Sequence, residues 1–350
     1  MSQFIITPEA PLPASLVAVR DPRYERWRWQ IALITWLTYV GYYFMRKSFA
    51  VAKVGILADP GMAMTKTSMG LIDMFYGIAY CAGMFVCGMC ADRFGTRRVV
   101  LSGMTGSVVV ALLMGFTTGN VLFGALFFAQ GLCQSSGWAP LTKNVSNWFS
   151  LRERGRVFGF WSTNYALGGM MASAFAGYMA LYFGSWRYAF TLPALVLLSI
   201  AVLFFFLQRN RPQDVGLPPV AQYRREPGGE TGTAAAPRAP RKGALNMVKE
   251  VLANPMIVRL GAVYFVLKPI RYTLLFCGPL IVHERMNTNI GESALITSFF
   301  EAAGPVGVIL AGFASDKLFQ SRRIPVIVCG LFALSLLLFR FNTITATGSK

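Results

Sequence analysis

Apolar residues fall in blocks of about 20 separated by short charged or turn-forming stretches, the length that crosses a hydrocarbon core about 30 Å thick. Nine such blocks lie near 28–50, 68–90, 99–117, 121–142, 156–182, 186–208, 257–282, 292–313 and 324–342. A segment that crosses lipid must satisfy its backbone hydrogen bonds internally, so each block predicts a helix. The pattern as a whole predicts an all-α membrane protein. Residues 1–27 are polar, with Pro11, Pro13, Arg20 and Asp21, and lack the apolar region and cleavage site of a signal peptide; they read as a cytoplasmic tail. The longest polar stretch, 209–256, holds Pro212, Pro218, Pro219, Pro227, Gly228, Gly229 and an alanine run, and reads as a flexible linker. Within it, residues 244–252 could form a short amphipathic helix at the membrane surface. The linker divides a six-helix block over 28–208 from a three-helix block over 257–350.

Only 14% of residues are charged and 55% are hydrophobic, where a soluble domain carries about a quarter charged residues. The formal net charge of +18 raises nucleic acid as a partner, but its distribution points elsewhere. With the N-terminus in the cytoplasm, 22 of the 33 Lys and Arg fall on the cytoplasmic side and five (Lys53, Lys66, Arg187, Arg285 and Lys350) on the outer side. That asymmetry is the positive-inside rule, so the basic charge sets topology and implies no nucleic acid. All six cysteines lie in apolar segments. Cys87 and Cys90 have C-x-x-C spacing but no second pair and no βαβ context, and read as buried small residues. The single histidine, His283, leaves no multi-histidine metal site.

Two landmarks recur in register. Gly88-Met-Cys-Ala-Asp92-Arg93-Phe-Gly95-Thr-Arg97-Arg98 follows the second block, and Gly312-Phe-Ala-Ser-Asp316-Lys317 with Arg322-Arg323 follows the eighth. The two aspartates are 224 residues apart; Arg46 in block one and Arg271 in block seven are 225 apart. A duplicated six-helix unit explains both offsets. On that logic about nine of twelve helices fall within the 350 residues, and the counterparts of blocks four to six lie beyond Lys350.

The first of these runs matches the signature between spans two and three of the major facilitator superfamily. Gly88 permits close helix approach, Asp92 can cap or pair near a helix end, and Gly95 lets the chain reverse. A charged turn alone explains the arginines but not both glycines at fixed offsets. The resemblance implies a cytoplasmic gate formed by Asp92, Arg93, Gly95, Arg97 and Arg98, with Asp316 and Lys317 in the second copy. Block one narrows the resemblance: Tyr39-Val-Gly-Tyr42-Tyr43-Phe44-Met45-Arg46-Lys47-Ser48-Phe49 closely resembles the first helix of the organophosphate:phosphate antiporters. Gly137-Trp138-Ala-Pro140, Glu153-Arg154-Gly155, Arg271-Tyr272 and Glu301-Ala-Ala-Gly304 resemble later parts of that family, over about 20–342. The resemblance implies a major-facilitator fold of two six-helix halves and a monomer in the bacterial inner membrane, without enzyme activity or cofactor. Its implied task is exchange of an organic phosphate, a sugar phosphate or glycerol phosphate, for inorganic phosphate.

The residues support an anion site on their own terms. An arginine at the centre of a membrane helix costs about 2.5–3.5 kcal/mol on insertion scales, so it is rarely idle. Arg46 and Arg271 occupy equivalent places in the repeat, and guanidinium binds phosphate bidentately. Lys268, three before Arg271, lies on nearly the same helix face. The plain alternative is that each arginine pairs with a buried carboxylate, for which Asp73 and Glu301 are the main candidates. Tyr39, Tyr43, Tyr80, Trp138, Asn164 and Tyr165 could offer hydroxyl, indole and amide groups to a ligand, though aromatic residues in membrane helices more often pack. Lys47 points about 100° around the helix from Arg46. By resemblance to the glycerol-phosphate carrier it pairs with Glu301 as a salt-bridge switch, with a structural ion pair as the alternative. Met84 and Tyr165 stand where that carrier has lysine and histidine. Gly168, Gly169, Ala172, Ala176 and Gly177 mark close helix packing.

Alternating access by rocking of the halves follows from this layout. An empty site brings Arg46, Lys268 and Arg271 together without a counter-ion, which disfavours the occluded state and makes exchange the natural mode. Two rivals are a membrane sensor of external hexose phosphate and a proton-coupled major-facilitator transporter of another organic anion.

Overall fold

The computed structural model describes residues 21–224, 253–319 and 323–347. Eight helices precede the linker: α1 (Pro22–Leu57), α2 (Lys66–Phe94), α3 (Thr96–Phe116), α4 (Asn120–Gln134), α5 (Trp138–Trp148), α6 (Leu151–Trp161), α7 (Thr163–Tyr182) and α8 (Tyr188–Leu207). A short α9 (Val220–Tyr223) follows, then α10 (Pro255–Met286), α11 (Ile290–Leu318) and α12 (Arg323–Thr347).

Local chemistry sets the helix ends. Asp21 caps α1 by accepting from the Arg23 N–H at 2.8 Å, with Pro22 in the first turn where no N–H is needed. Thr65 with Ser68 and Asn289 with Glu292 close capping boxes on α2 and α11. Gly95 separates α2 from α3 at φ 86°, in the region that disfavours a side chain, and an added Cβ would also meet Asn210 at 3.0 Å.

Two expected spans are broken helices. The block at 121–142 splits into α4 and α5, because Ser135 and Ser136 turn their hydroxyls back onto Leu132 O and Cys133 O at 2.6 and 2.7 Å. Pro140 adds to the break by offering no N–H to the carbonyl four residues earlier. The block at 156–182 splits at Ser162 into α6 and α7. Among the described residues, α2, α3, α8 and α10 are long and apolar enough to cross a membrane. The surface agrees with lipid contact. Phe85, Phe116, Val121, Phe206 and Phe265 are 65–82% exposed, while Arg46, Lys47, Lys53, Gln130 and Gln134 are buried. That inversion of the soluble pattern is what a bilayer requires.

Helix α1 is the centre of the bundle, with residues 38–54 buried without interruption. It packs on α7 and α8 and also reaches α10, while α7 packs on α11. Small residues make these approaches possible: a Cβ on Gly168 would meet Val40 and Tyr43 of α1, and one on Gly177 would meet Ala294 of α11. The segment read as a flexible linker starts with a docked stretch. Tyr223 stacks on Tyr24 with ring centroids 3.8 Å apart, and Arg224 pairs with Glu25 at 3.1 Å and Glu153 at 2.7 Å. The remainder of that linker, 225–252, lies outside the described residues, as does most of the tail read over 1–27.

Candidate functional site

Tyr39, Tyr43 and Arg46 recur at spacings of four and three, so α1 presents them along one face. Tyr39, Trp138 and Trp161 form an aromatic wall, with centroids 5.2 Å (Tyr39–Trp138) and 5.4 Å (Trp138–Trp161) apart. The Arg46 guanidinium carbon sits 4.8 Å from the ring centroids of both Tyr43 and Tyr80 and 5.9 Å from Tyr39. Its terminal nitrogen makes a long 3.5 Å contact to Gln134 Oε1 at the α4–α5 break. The Gln134 amide is aimed by Ser107, whose hydroxyl accepts from Gln134 at 3.1 Å and from Gln130 at 2.7 Å. Arg46 is 5% exposed and its Nε has no partner.

The second basic group lies on α10. The Arg271 guanidinium carbon is 4.9 Å from the Tyr165 ring, joining the α7 side of the bundle to α10. Lys268, one turn earlier, lies 5.3 Å from the Tyr264 ring and 5.8 Å from Tyr272. Both basic side chains are exposed. Asn164 is fully buried, and neither its amide oxygen nor its nitrogen has a partner.

The buried carboxylates go to lysines. Lys47 Nζ lies 2.7 Å from Glu301 Oε1, an ion pair outside hydrogen-bond geometry, at 0% and 7% side-chain exposure. Lys53 pairs with Asp73. Among the described residues, no carboxylate pairs with Arg46, Arg271 or Lys268. The alternative of arginines neutralised by Asp73 and Glu301 therefore does not hold in this conformation. These three cations have aromatic faces as neighbours, an arrangement that attracts a cation only modestly and leaves hydrogen-bond donors available to an anion.

The motif after α2 is a set of ties rather than a free turn. Asp92 pairs with Lys143 of α5, and Arg93 lies 5.2 Å from the Phe94 ring. The Arg97 N–H donates to Asn210 Oδ1 at 2.9 Å, and its guanidinium donates to Phe205 O at the end of α8. Arg98 is exposed. Arg97 thus folds back onto protein at the end of α8. In the second copy Lys317 is exposed beside the Phe313 ring at 5.3 Å; the Asp316 side chain lies outside the described residues.

Lys53, counted with the outer-side lysines, is 1% exposed and sits between helices, because α1 continues to Leu57 and carries it inside the bundle. Its place seven residues after Arg46, two turns along one face, is a usable signal of that burial. Ser107, which holds the Gln134 partner of Arg46, is a residue that the pattern does not single out, since nothing in its spacing reports on a contact with α4. Cys87 and Cys90 are free thiols, and no group of potential metal ligands forms among the described residues.

A family model for the Major Facilitator Superfamily matches residues 35–349. The chain is 31% identical over 333 residues to the membrane sensor protein UhpC of Salmonella typhimurium, covering 94% of this chain and 74% of that protein. It is 29% identical over 339 residues to the glycerol-3-phosphate transporter of Bacillus subtilis, with 92% and 73% covered. A probable hexose phosphate transport protein of Chlamydia pneumoniae is 28% identical, with 90% and 70% covered. Among solved structures, an inward-facing, unoccupied bacterial homolog of the human lysosomal transporter Spinster superposes with a TM-score of 0.66 at 15% identity, with 87% of this chain covered. The chain spans 65% of the length of that structure. The D-xylose-proton symporter superposes with a TM-score of 0.55 at 14% identity, with 83% and 69% covered. The motif match, the sequence relatives and the shared fold agree: the chain is an integral membrane protein of the Major Facilitator Superfamily and groups within it with the organophosphate:phosphate antiporters.

Proposed function

We propose that the protein carries an organic phosphate, a sugar phosphate or glycerol phosphate, across the bacterial inner membrane in exchange for inorganic phosphate by alternating access. Arg46, Arg271 and Lys268 hold the phosphate, and Tyr39, Tyr43, Tyr80, Trp138, Asn164 and Tyr165 shape the remainder of the site. The observation that carries this reading is the allocation of charge: lysines take both buried carboxylates, and the arginines face tyrosine rings without a counter-anion among the described residues. A phosphate ester carries about −1.5 to −2 charge at neutral pH and presents the paired oxygens that a guanidinium fork fits. Lys47 with Glu301 links α1 to α11 and can act as a salt-bridge switch, while Asp92, Arg93, Gly95, Arg97, Arg98, Asp316 and Lys317 serve the gate at the expected cytoplasmic end.

The test is uptake of labelled glycerol phosphate or hexose phosphate by vesicles containing the purified protein. Vesicles loaded with phosphate take it up and empty ones do not; equal uptake by both defeats the exchange mechanism. Arg46→Lys and Arg271→Lys each keep a charge but lose the fork, so each abolishes uptake while insertion is unchanged. A second reading draws on the UhpC relatives, which are named as sensors. A sensor binds hexose phosphate in the same assay and shows no uptake under either loading.

A further inference from the structure

Two lysines of α1, Lys47 and Lys53, reach across to α10. Lys47 donates to Leu275 O at 3.2 Å, and Lys53 donates to Phe276 O at 2.9 Å. Pro279 explains why the first of these carbonyls accepts. It lies inside α10, has no N–H to give Leu275 O four residues earlier, and its ring forces the ladder apart at that turn. Lys53 is steadied by Asp73 of α2, and the two side chains are 1% and 11% exposed. Beyond them, toward the end of the bundle away from the N-terminus, Lys66 at the start of α2 pairs with Glu284 of α10 at 2.7 Å. The anion site uses neither Lys53 nor Asp73, and a buried ion pair is a poor way to gain stability over an apolar pair.

We propose that Lys53 and Asp73 form a latch that ties α10 to α1 and α2 at the end of the bundle away from the N-terminus and must release Phe276 O before that end opens. The chemistry suits a latch. Asp73 travels with α1 and α2, so the ammonium keeps its counter-ion when α10 moves away. Opening then breaks a hydrogen bond from a charged donor and does not strand a charge. The closed latch also sets the position of Arg271, one helical turn before Leu275, opposite Tyr165. Lys53 is in this sense a positioning residue. The proposal rests on the two-ended opening of the proposed function, but not on which anion is carried.

Cys277 supplies the reporter, because its sulfur lies 3.7 Å from Lys53 Nζ and is partly buried. The full chain, with its other five cysteines replaced by alanine, is placed in vesicles, and a membrane-impermeant maleimide is applied from the side of the latch. The parent labels slowly. The charge-neutral pair Lys53→Met with Asp73→Asn labels about tenfold faster, the smaller effect expected for losing a hydrogen bond from a charged donor. Lys53→Arg keeps donor and charge and stays slow, which a merely loosened bundle would not show. Equal labelling of the parent and the neutral pair overturns the latch. Where the neutral pair inserts poorly, labelling of Lys53→Gln no faster than that of the parent overturns it instead. No substrate enters these measurements, so failure of phosphate-ester uptake leaves their outcome intact.

Discussion

Gln134→Glu separates an arginine held for an anion from an arginine that is merely packed. The change keeps side-chain volume and puts a carboxylate oxygen where Oε1 now lies, 3.5 Å from the Arg46 terminal nitrogen. Ser107, which now accepts from two amides, can rotate its hydroxyl to donate to the new oxygen. Opposite unit charges at that distance attract by about 5 kcal/mol at an effective dielectric constant of about 20. Desolvating the carboxylate removes a large part of this. A surviving attraction of about 2–3 kcal/mol must be broken by an incoming phosphate, which weakens binding roughly 30- to 150-fold. The fold moves the other way, because Arg46 gains a counter-ion in a site where it has none. The assay is phosphate binding to purified protein by titration calorimetry, with thermal unfolding measured on the same samples. Weaker binding appears with an unchanged or raised Tm, and binding recovers as falling pH protonates the new carboxyl. Unchanged phosphate affinity would refute the assignment of Arg46 as an anion ligand.

Lys47→Met leaves Glu301 buried without its partner and should lower stability by about 3–5 kcal/mol. Adding Glu301→Gln removes the orphan charge and restores much of the loss; a double variant as unstable as the single one contradicts the pairing. Asp59, in the turn after α1, accepts from Trp186 Nε1 at 3.0 Å and from the Gly61 N–H at 2.9 Å, with Arg187 3.8 Å away. The Trp186 hydrogen bond, then the Gly61 N–H and the Arg187 charge, hold its carboxyl below the usual aspartate range. Its contribution is therefore fully present above the ordinary value of about 3.9 and fades as pH falls through the lowered one. The Tm gap between the parent and Asp59→Asn, followed from pH 6 downward, should shrink toward acid; a constant gap counts against this linkage.

Much of the protein is legible from its residues alone. Block length and the scarcity of charge within blocks specify membrane helices, because lipid offers no partner for a backbone group. The cost of a guanidinium at the middle of a membrane helix is enough to single out Arg46 and Arg271, and the paired offsets point to a repeat. The pattern reaches its limit at α4–α5, where Ser135, Ser136 and Pro140 break a helix inside a block whose average hydropathy barely changes. It also does not report the burial of Lys53, because a lysine just past an apolar block looks solvated unless the helix is known to run on to Leu57. Only the tertiary structure decides which acid answers which base. The family resemblance already matches Glu301 to Lys47, but Asp73 is open to either arginine on sequence grounds, and α1 turns Lys53 onto it instead. The reason is geometric: ion pairing depends on distances of a few ångströms between helices remote in sequence, and neither periodicity nor spacing along one chain contains those distances.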